Sequence, residues 1–180
     1  MAPPIHPSLQ YGAERRWVIM GVCGCGKSTV GAALAERFGV PFLEGDAYHP
    51  APNVAKMSAG IPLTDDDRAE WLQALAREIG AARVQGGGIV VSCSALKRRY
   101  RDVLRQADPG LHFAHLYGTR DTIGERMQTR TGHYMPISLL DSQLRDLEPL
   151  QADEAGITLD ITQPPDILVA SIIASTARTG

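Results

Sequence analysis

A glycine-rich segment between an apolar run and a helical pattern constrains this sequence most. Residues 21–29 read Gly-Val-Cys-Gly-Cys-Gly-Lys-Ser-Thr, which is the pattern of a phosphate-binding loop: glycine, four residues, then Gly-Lys-Ser. The apolar residues 17–20 before it predict a buried strand. After it, apolar residues recur at helical spacing, at Val30, Ala33, Leu34 and Phe38. An ordinary glycine-rich junction is the alternative, but the motif in this context predicts nucleoside triphosphate binding.

Each part of this loop has an expected role in holding a nucleotide. Successive backbone N–H groups form a concave anion site, and the helix that follows adds its positive dipole end. Lys27 is expected to reach the outer phosphates, and the Ser28 hydroxyl is expected to bind Mg²⁺. The expected nucleotide-binding residues are Gly21, Val22, Cys23, Gly24, Cys25, Gly26, Lys27, Ser28 and Thr29.

Composition bounds the class of protein. The 180 residues are 44% hydrophobic and 21% charged, which is ordinary for one globular domain. The net charge of −2 gives no reason to expect nucleic-acid or membrane binding, and no apolar run approaches the ~20 residues of a membrane span. Three cysteines make no disulfide framework, so we expect a cytoplasmic protein. Residues 1–15 are expected to be a poorly ordered extension, and residues 16–180 a single domain.

Two acidic residues follow the second predicted strand, residues 41–43. Because side chains alternate along a strand, Glu44 and Asp46 should leave one face together at the carboxyl end, where open α/β sheets bind ligands. The third predicted strand, residues 89–91, is followed by Ser92 and not by the acid that most phosphate-loop ATPases and GTPases use to organise Mg²⁺. This argues against a motor or GTPase switch. Glu44 and Asp46 are the acids available, with surface caps as the alternative.

Basic residues lie on the faces of two later helical patterns. Thr64 with Asp67 resembles a capping box, and the helix it opens carries Arg68 on an apolar stripe. An arginine on such a stripe is rarely unpaired, so Arg68 should meet an anion, either a protein carboxylate or a ligand. Lys97 and Arg101 lie near the ligand end of the third strand and are expected to contact an anion.

A further group of arginines indicates a lid over the phosphates. Ile123, Arg126, Met127 and Arg130 fall on one helical arc, so the two arginines share a strip with apolar residues. Such a strip suits a segment that closes over a nucleotide, because arginine charge stabilises the transition state of phosphoryl transfer. We place the lid at about residues 119–137.

The order of the predicted elements decides the fold class. Further strands are predicted at residues 112–117 and 156–161, and further helices at 137–147 and 165–177. Short buried strands joined by helices form parallel sheets with helices on both faces. The sequence therefore predicts a three-layer α/β/α fold with a mostly parallel, five-stranded sheet.

With these residues in place, the sequence resembles the gluconate kinase family, of the small-molecule kinase group that includes shikimate and adenylate kinases. The loop alone would indicate only a nucleotide binder; the other matching motifs select a sugar acid. They run from the loop to Glu154 and include Glu44-Gly45-Asp46, His49-Pro50, Lys56-Met57, Asp67-Arg68, Trp71-Leu72, Cys93-Ser94-Ala95-Leu96-Lys97, Tyr100-Arg101-Asp102, Gly132-His133 and Ser142-Gln143.

The resemblance implies a phosphate-loop kinase fold with a mobile lid, and a cytoplasmic homodimer that uses ATP and Mg²⁺ to phosphorylate the 6-hydroxyl of D-gluconate. It implies that Asp46 orients or deprotonates that hydroxyl and that Glu44 helps to hold Mg²⁺. Lys27, Arg126 and Arg130 would stabilise the transferring phosphoryl group. Arg120 would stack on adenine. The implied substrate contacts are Asp46, His49, Arg68, Lys97, Arg101, His133 and Gln143.

Two questions stay open at this stage. Family members usually carry serine at the positions of Cys23 and Cys25, and thiols beside Lys27 and a helix N-terminus would favour thiolates, so we hypothesise a redox liability. The alternative is that cysteine merely replaces the volume of serine. There are two alternative functions. One is a nucleotide-dependent regulatory protein without catalysis, and the other is a kinase for shikimate, a nucleoside monophosphate or another sugar acid.

Overall fold

Five short parallel strands form the centre of the molecule. The computed structural model describes residues 13–129 and 136–178, and within these ranges the sheet order is β2-β3-β1-β4-β5 with every neighbouring pair parallel. The strands are β1 Arg16–Met20, β2 Phe42–Glu44, β3 Ile89–Ser92, β4 His112–Tyr117 and β5 Gly156–Asp160. All residues of β1 and β3 are buried, as expected for strands covered on both faces by helices. The predicted three-layer α/β/α fold is confirmed.

Seven α-helices connect and cover the strands in the described ranges. They are α1 Lys27–Phe38, α2 Ala51–Ser58, α3 Asp65–Val84, α4 Arg98–Ala107, α5 Arg120–Thr129, α6 Ile137–Asp146 and α7 Pro165–Thr176. Helix α1 packs against α7, and α3 packs against α4. Within the described part of the chain, no helix is long and apolar enough to cross a membrane.

The residues directly before β1 pack against the domain. Ala13–Arg15 form a 3₁₀ helix, and Arg15 Nη1 donates to the carbonyl of Phe38 at 2.8 Å. Residues 13–15, which the sequence assigned to the extension, are therefore part of the folded domain. Residues 1–12 of the predicted extension lie outside the described residues.

The start of α3 is fixed by the predicted capping box. Thr64 Oγ1 accepts from the backbone N–H of Asp67 at 3.1 Å, and the Asp67 carboxylate accepts from the N–H of Thr64 at 2.9 Å. Lys56 Nζ donates to both oxygens of Asp67 at 2.8 and 3.0 Å, and this contact does most to lower the pKa of Asp67 to about 2. The box thus ties α2 to the helix that carries Arg68.

A close backbone approach places the segment after β2 against the end of β3. A Cβ on Gly45 would lie 1.9 Å from the carbonyl oxygen of Ser92, so only glycine fits there. Gly45–Tyr48 form a 3₁₀ helix, and Trp71 Nε1 donates to the Gly45 carbonyl at 2.8 Å. These contacts set the positions of the acidic residues on either side of Gly45.

Candidate active site

The phosphate loop has the backbone geometry that its sequence predicts. Gly21, Gly24 and Gly26 have φ angles of 145°, 81° and 94°, which side chains with a Cβ rarely adopt. Gly26 directly precedes α1, and no side chain caps that helix, so its first N–H groups are available to an anion. A Cβ on Gly24 would lie 2.7 Å from Met127 Cγ, because α5 covers the loop.

Lys27 lies against the loop that carries it. Its Nζ donates to the Val22 carbonyl at 2.9 Å. Burial alone would lower the pKa of Lys27, but its electrostatic interactions with Cys25 and Asp46 raise it above its ordinary value. The side chain is therefore a fixed positive charge at neutral pH, as a phosphate contact requires.

Glu44 joins the loop to the acidic segment. Ser28 Oγ donates to Glu44 Oε2 at 2.5 Å, and Ser92 Oγ donates to Glu44 Oε1 at 2.6 Å. Ser92 in turn accepts from the backbone N–H of Gly45 at 3.1 Å. Glu44 therefore brings the phosphate loop and the acidic segment together. Where most phosphate-loop ATPases have an acid after this strand, β3 here ends in Ser92, whose hydroxyl orients the Glu44 carboxylate. The sequence alone did not indicate this role for Ser92.

The geometry behind the acidic pair differs from the prediction. Strand β2 ends at Glu44, and Asp46 lies in the 3₁₀ helix Gly45–Tyr48, so strand alternation does not place the two side chains. Glu44 and Asp46 nevertheless line the same cavity. The turn at Gly45 brings them together, because it lets the chain pack closely on β3.

A cavity of about 550 Å³ extends from the phosphate loop between α3 and α6. This is the size range of small-molecule sites. Its charged and polar walls include Lys27, Ser28, Glu44, Asp46, His49, Arg68 and Gln143. Its apolar walls include Met57, Leu63, Trp71, Met127 and Leu139. The cavity therefore combines a phosphate-binding end with a second pocket that has both charged and apolar walls.

His49 forms part of that second pocket. Its ring stacks on Trp71 with centroids 4.1 Å apart and planes 18° apart, and its Nδ1 lies 3.3 Å from Asn53 Nδ2. Burial lowers the pKa of His49, Arg68 lowers it further, and Asp46 opposes both. The imidazole is therefore neutral at pH 7. Trp71 is both a buried core residue and a wall of the cavity, a double role that helical periodicity does not show.

Arg68 meets a protein carboxylate, one of the two partners that its position on an apolar stripe left open, and it also lines the cavity. The residue is 5% exposed, and its Nη1 donates to the Tyr100 hydroxyl at 3.0 Å and to Asp146 Oδ2 at 3.5 Å. The Tyr100 hydroxyl donates to Asp65. Because the ion pair is long and Arg68 also lines the cavity, its remaining donors can serve a ligand anion.

Gln143 contacts the phosphate loop directly. Its Oε1 accepts from the backbone N–H of Cys23 at 2.7 Å, so α6 reaches the loop from the opposite wall of the cavity. The expected substrate contact is thus in the cavity, beside the phosphate end.

Lys97 and Arg101 are not brought to the cavity. Lys97 Nζ donates to Asp65 at 3.1 Å. Arg101 is fully buried, with Nε and Nη2 donating to the Glu154 carboxylate at 2.7 and 3.0 Å. Both positive charges are therefore paired with protein carboxylates, and neither residue is placed to contact a substrate directly. No local pattern indicated Glu154 as the partner of Arg101, because it lies 53 residues away.

The expected lid arginines have protein partners in the described chain. Arg120 donates from Nε and Nη2 to Asp141 at 2.5 and 3.1 Å. Arg126 Nη2 donates to the Ile161 carbonyl at 2.5 Å. Neither arginine lines the cavity. Arg130 and His133, with most of the turn in the expected lid, lie outside the described residues.

The cysteines differ from the expectation of favoured thiolates. Burial raises the pKa of Cys23 to about 11, although Lys27 acts in the opposite direction. Burial likewise raises the pKa of Cys93 to about 12. The thiolate prediction is wrong for Cys23, because loss of solvent outweighs the nearby ammonium group.

Comparison with known proteins agrees with this geometry. The shikimate kinase family model matches residues 23–159. The chain is 47% identical over 166 residues to the gluconokinase of Gluconobacter oxydans (strain 621H), covering 91% of this chain and 93% of the relative. It is 42% identical over 158 residues to the thermoresistant gluconokinase of Escherichia coli (strain K12), covering 87% and 90%.

Solved structures give the same result. A gluconokinase from Sinorhizobium meliloti 1021 superposes with a TM-score of 0.84 at 49% identity, covering 91% of this chain and 92% of that one. An unliganded sugar kinase from Janibacter sp. HTCC2649 has a TM-score of 0.87 at 47% identity, covering 91% and 94%. Each of these likenesses covers 87% or more of the chain. The chain therefore belongs to the gluconokinases, within the shikimate kinase family whose model it matches.

Proposed function

We propose that this kinase transfers the γ-phosphoryl group of ATP to the 6-hydroxyl of D-gluconate, giving ADP and 6-phospho-D-gluconate. The observation that carries the proposal is the 2.5 Å contact between Ser28 and Glu44, which puts the nucleotide loop and the acidic segment at one cavity. The relatives named gluconokinase support the choice of acceptor.

The phosphate end of the cavity suits ATP with Mg²⁺. Ser28 and Glu44 offer one hydroxyl and one carboxylate, and no group of three or more His, Cys, Asp or Glu side chains that could hold a metal ion occurs among the described residues. That donor set fits Mg²⁺, which usually keeps several waters and takes its other ligands from substrate phosphates. Bound Mg²⁺ would neutralise charge on those phosphates. Lys27 would hold the outer phosphates from the loop side.

The second pocket suits a polyhydroxy acid. Asp46 lines the cavity near the phosphate loop, and we assign it as the base. As the acceptor oxygen attacks the γ-phosphorus, its proton passes to the Asp46 carboxylate and the bond from phosphorus to the ADP oxygen breaks. Arg68 would bind the substrate carboxylate with donors that the protein leaves open. Neutral His49 and Gln143 would hydrogen-bond the substrate hydroxyls.

We also propose the closing lid at about residues 119–137, with Arg126 and Arg130 stabilising the phosphoryl group, Arg120 on adenine and His133 on the substrate. The cover that α5 places over Gly24 through Met127 supports this assignment. Closure would require Arg120 and Arg126 to exchange their present partners for the ligand. A cytoplasmic homodimer is part of the same proposal, and sedimentation equilibrium tests the dimer.

The test is ADP release across a panel of acceptors: D-gluconate, other sugar acids, shikimate and a nucleoside monophosphate. We expect ADP release with D-gluconate at the highest kcat/KM, and a product whose ³¹P signal couples to the protons on carbon 6. A higher kcat/KM with another acceptor would reassign the substrate. No ADP release with any acceptor, with ATP still bound, would favour a regulatory nucleotide-binding protein instead.

A further inference from the structure

The turn that follows β3 has an unusual backbone. Ala95 has a φ angle of 44°, and no other non-glycine residue of the described ranges has a positive φ. L-residues with a Cβ rarely adopt this left-handed conformation. Ala95 is also completely buried, so the surrounding structure must hold the turn. Such conformations persist where neighbouring contacts over-determine them, and they are enriched at ligand sites.

Arg101 holds this turn from inside the protein. Its Nη1 donates to the carbonyl oxygens of Ala95 at 2.9 Å and Leu96 at 3.3 Å. The guanidinium itself is fixed by the Glu154 carboxylate, which accepts from Nε at 2.7 Å and from Nη2 at 3.0 Å. A planar group that makes four such contacts cannot move without breaking several of them.

The phosphate loop holds the same turn from the other side. The backbone N–H of Gly21, the first residue of the loop motif, donates to the Ser94 carbonyl at 3.2 Å. The backbone of Ser94 is therefore held at two points. Gly21 donates to the carbonyl of Ser94 itself, and Arg101 donates to the carbonyl of the next residue, Ala95. The Ser94 backbone is positioned relative to the loop independently of any ligand.

The side chain of Ser94, unlike its backbone, has no hydrogen-bond partner among residues 13–129 and 136–178. Ser94 is half-buried and lines the cavity with Asp46, and its hydroxyl makes no hydrogen bond to any described residue. The two other serines that line the cavity differ: Ser28 Oγ donates to Glu44, and Ser142 Oγ donates to the Leu139 carbonyl. A rigidly placed, unpaired hydroxyl at a cavity wall is suited to a polar ligand.

We propose that Ser94 is a substrate-positioning residue whose hydroxyl hydrogen-bonds a hydroxyl of the bound sugar acid, and that Arg101 acts on the substrate only through this turn. The inference rests on the function proposed above. A serine hydroxyl donates one hydrogen bond and accepts others, which matches the hydroxyls of a polyol chain. Because the protein has already fixed the turn, substrate binding loses little entropy in ordering it.

The first test is Ser94→Ala, with Ser175→Ala as the matched control. Ser175 lies on α7, where its hydroxyl donates to the Ile172 carbonyl. For Ser94→Ala we expect the KM for D-gluconate to rise about 3- to 10-fold, the equivalent of one hydrogen bond. The KM for ATP and kcat should stay within about twofold, because the contact is to the acceptor and is present before the transition state. Ser175→Ala should match the wild type in all three constants.

The second test is Arg101→Lys, alone and combined with Ser94→Ala. Lysine keeps a positive charge beside Glu154 but cannot reach both carbonyls and the carboxylate as the guanidinium does. We expect Arg101→Lys alone to raise the KM for D-gluconate, and to raise it much less in the Ser94→Ala background, since positioning has no effect once the hydroxyl is gone. A lower melting temperature is expected in both backgrounds and does not depend on Ser94.

Three results would overturn the inference. The first is an unchanged KM for D-gluconate in Ser94→Ala when the wild type is active, which leaves the proposed function intact. The second is an equal rise in the KM for ATP and for D-gluconate, which would show that the turn only supports the loop. The third is a wild-type enzyme without activity on any acceptor of the panel, which would remove the proposed function as well.

Discussion

At the scale of single residues, the two acids of the site have different surroundings. Glu44 accepts hydrogen bonds from Ser28 and Ser92, so its carboxylate is oriented by the protein. The Asp46 side chain makes no hydrogen bond to a described residue and lines the cavity. A carboxylate held between two hydroxyls suits a metal partner, whereas one with free lone pairs suits proton transfer. The surroundings thus favour the roles proposed for the two residues.

The role of Asp46 is tested by Asp46→Asn. We expect turnover to fall about 100-fold or more, the usual contribution of a general base, because the amide cannot accept the proton. ATP affinity, measured by calorimetry, should change little, since the loop residues are untouched. Asp66→Asn removes an exposed carboxylate from the first turn of α3 and should keep full turnover. Near-normal turnover in Asp46→Asn would show that another group takes the proton.

The surroundings of Cys23 predict that its thiol reacts slowly with electrophiles. With a pKa of about 11 in place of the ordinary 9.0, its thiolate fraction at pH 8 falls about 100-fold. We expect slow alkylation of Cys23 by iodoacetamide at pH 8 in the folded protein, with a rate that rises as pH approaches 11. Mass spectrometry of the loop peptide measures this, and the unfolded protein in denaturant provides the reference rate. Rapid oxidation of this peptide by peroxide at pH 7 would restore the redox hypothesis.

At the scale of elements, the start of α3 connects several parts of the site. Its capping box fixes the helix that carries Arg68 and Trp71, and Lys56 and Asn53 of α2 contact the capping residue Asp67. The first turn also bears Asp65, which accepts from Lys97 and Tyr100. The start of α3 therefore joins α2 and α4 to the helix whose Arg68 and Trp71 line the cavity.

Thr64→Ala tests this helix terminus. Loss of the cap should lower the free energy of unfolding by about 1 kcal/mol, because the N–H of Asp67 loses its acceptor. Urea denaturation measures the change. Thr176→Ala, at the end of α7 where the hydroxyl donates to the Ile173 carbonyl, should alter stability by less than about 0.5 kcal/mol. Equal effects of the two substitutions would mean that the capping box contributes nothing specific.

The arrangement of the elements also explains why two basic residues expected at the ligand site lie outside the cavity. Local spacing placed Lys97 and Arg101 at the ligand end of β3, and both are indeed near it. Whether such a residue faces the cavity depends on the turn between β3 and α4, which the left-handed Ala95 redirects. Sequence periodicity predicts which residues share one face of a helix. It does not predict the direction in which the preceding turn points that face.

At the scale of the whole molecule, buried titratable groups link stability to pH. His115 on β4 is 3% exposed, and burial, followed by the charge of Arg101, lowers its pKa from 6.5 to about 4. Burial raises the pKa of Glu154, but hydrogen bonds led by Arg101 outweigh it and lower the pKa from 4.5 to about 2. The unfolded chain therefore binds more protons than the folded one across this acidic range, and folding weakens as pH falls.

His115→Gln tests the upper part of that range. In the wild type, the stability associated with neutral His115 is fully present above pH 6.5 and is lost as pH falls toward 4, by up to about 3 kcal/mol. The variant has no titrating group at position 115, so its free energy of unfolding should change less with pH between 6.5 and 4.5. Free energies of unfolding from urea titrations at several pH values give both curves. Parallel curves would assign the acid sensitivity to other groups.

Much of the molecule follows from the sequence read locally. The phosphate loop, the capping box at Thr64 and the alternation of short apolar runs with helical stripes are patterns within about 20 residues, and steric and hydrogen-bonding rules act at that range. They predicted the α/β/α fold, the loop, and the place of Glu44 and Asp46 at the edge of the sheet. The motif matches added the kinase family.

Tertiary structure alone decided which charges face the cavity. Glu154 neutralises Arg101 from 53 residues away, Ser92 crosses from β3 to orient Glu44, and Gln143 reaches the phosphate loop from α6. Burial likewise reversed the expected pKa direction of Cys23. The physical reason is that pairing and desolvation depend on which segments share a volume, and that is set by the packing of the sheet and its helices and not by spacing along the chain.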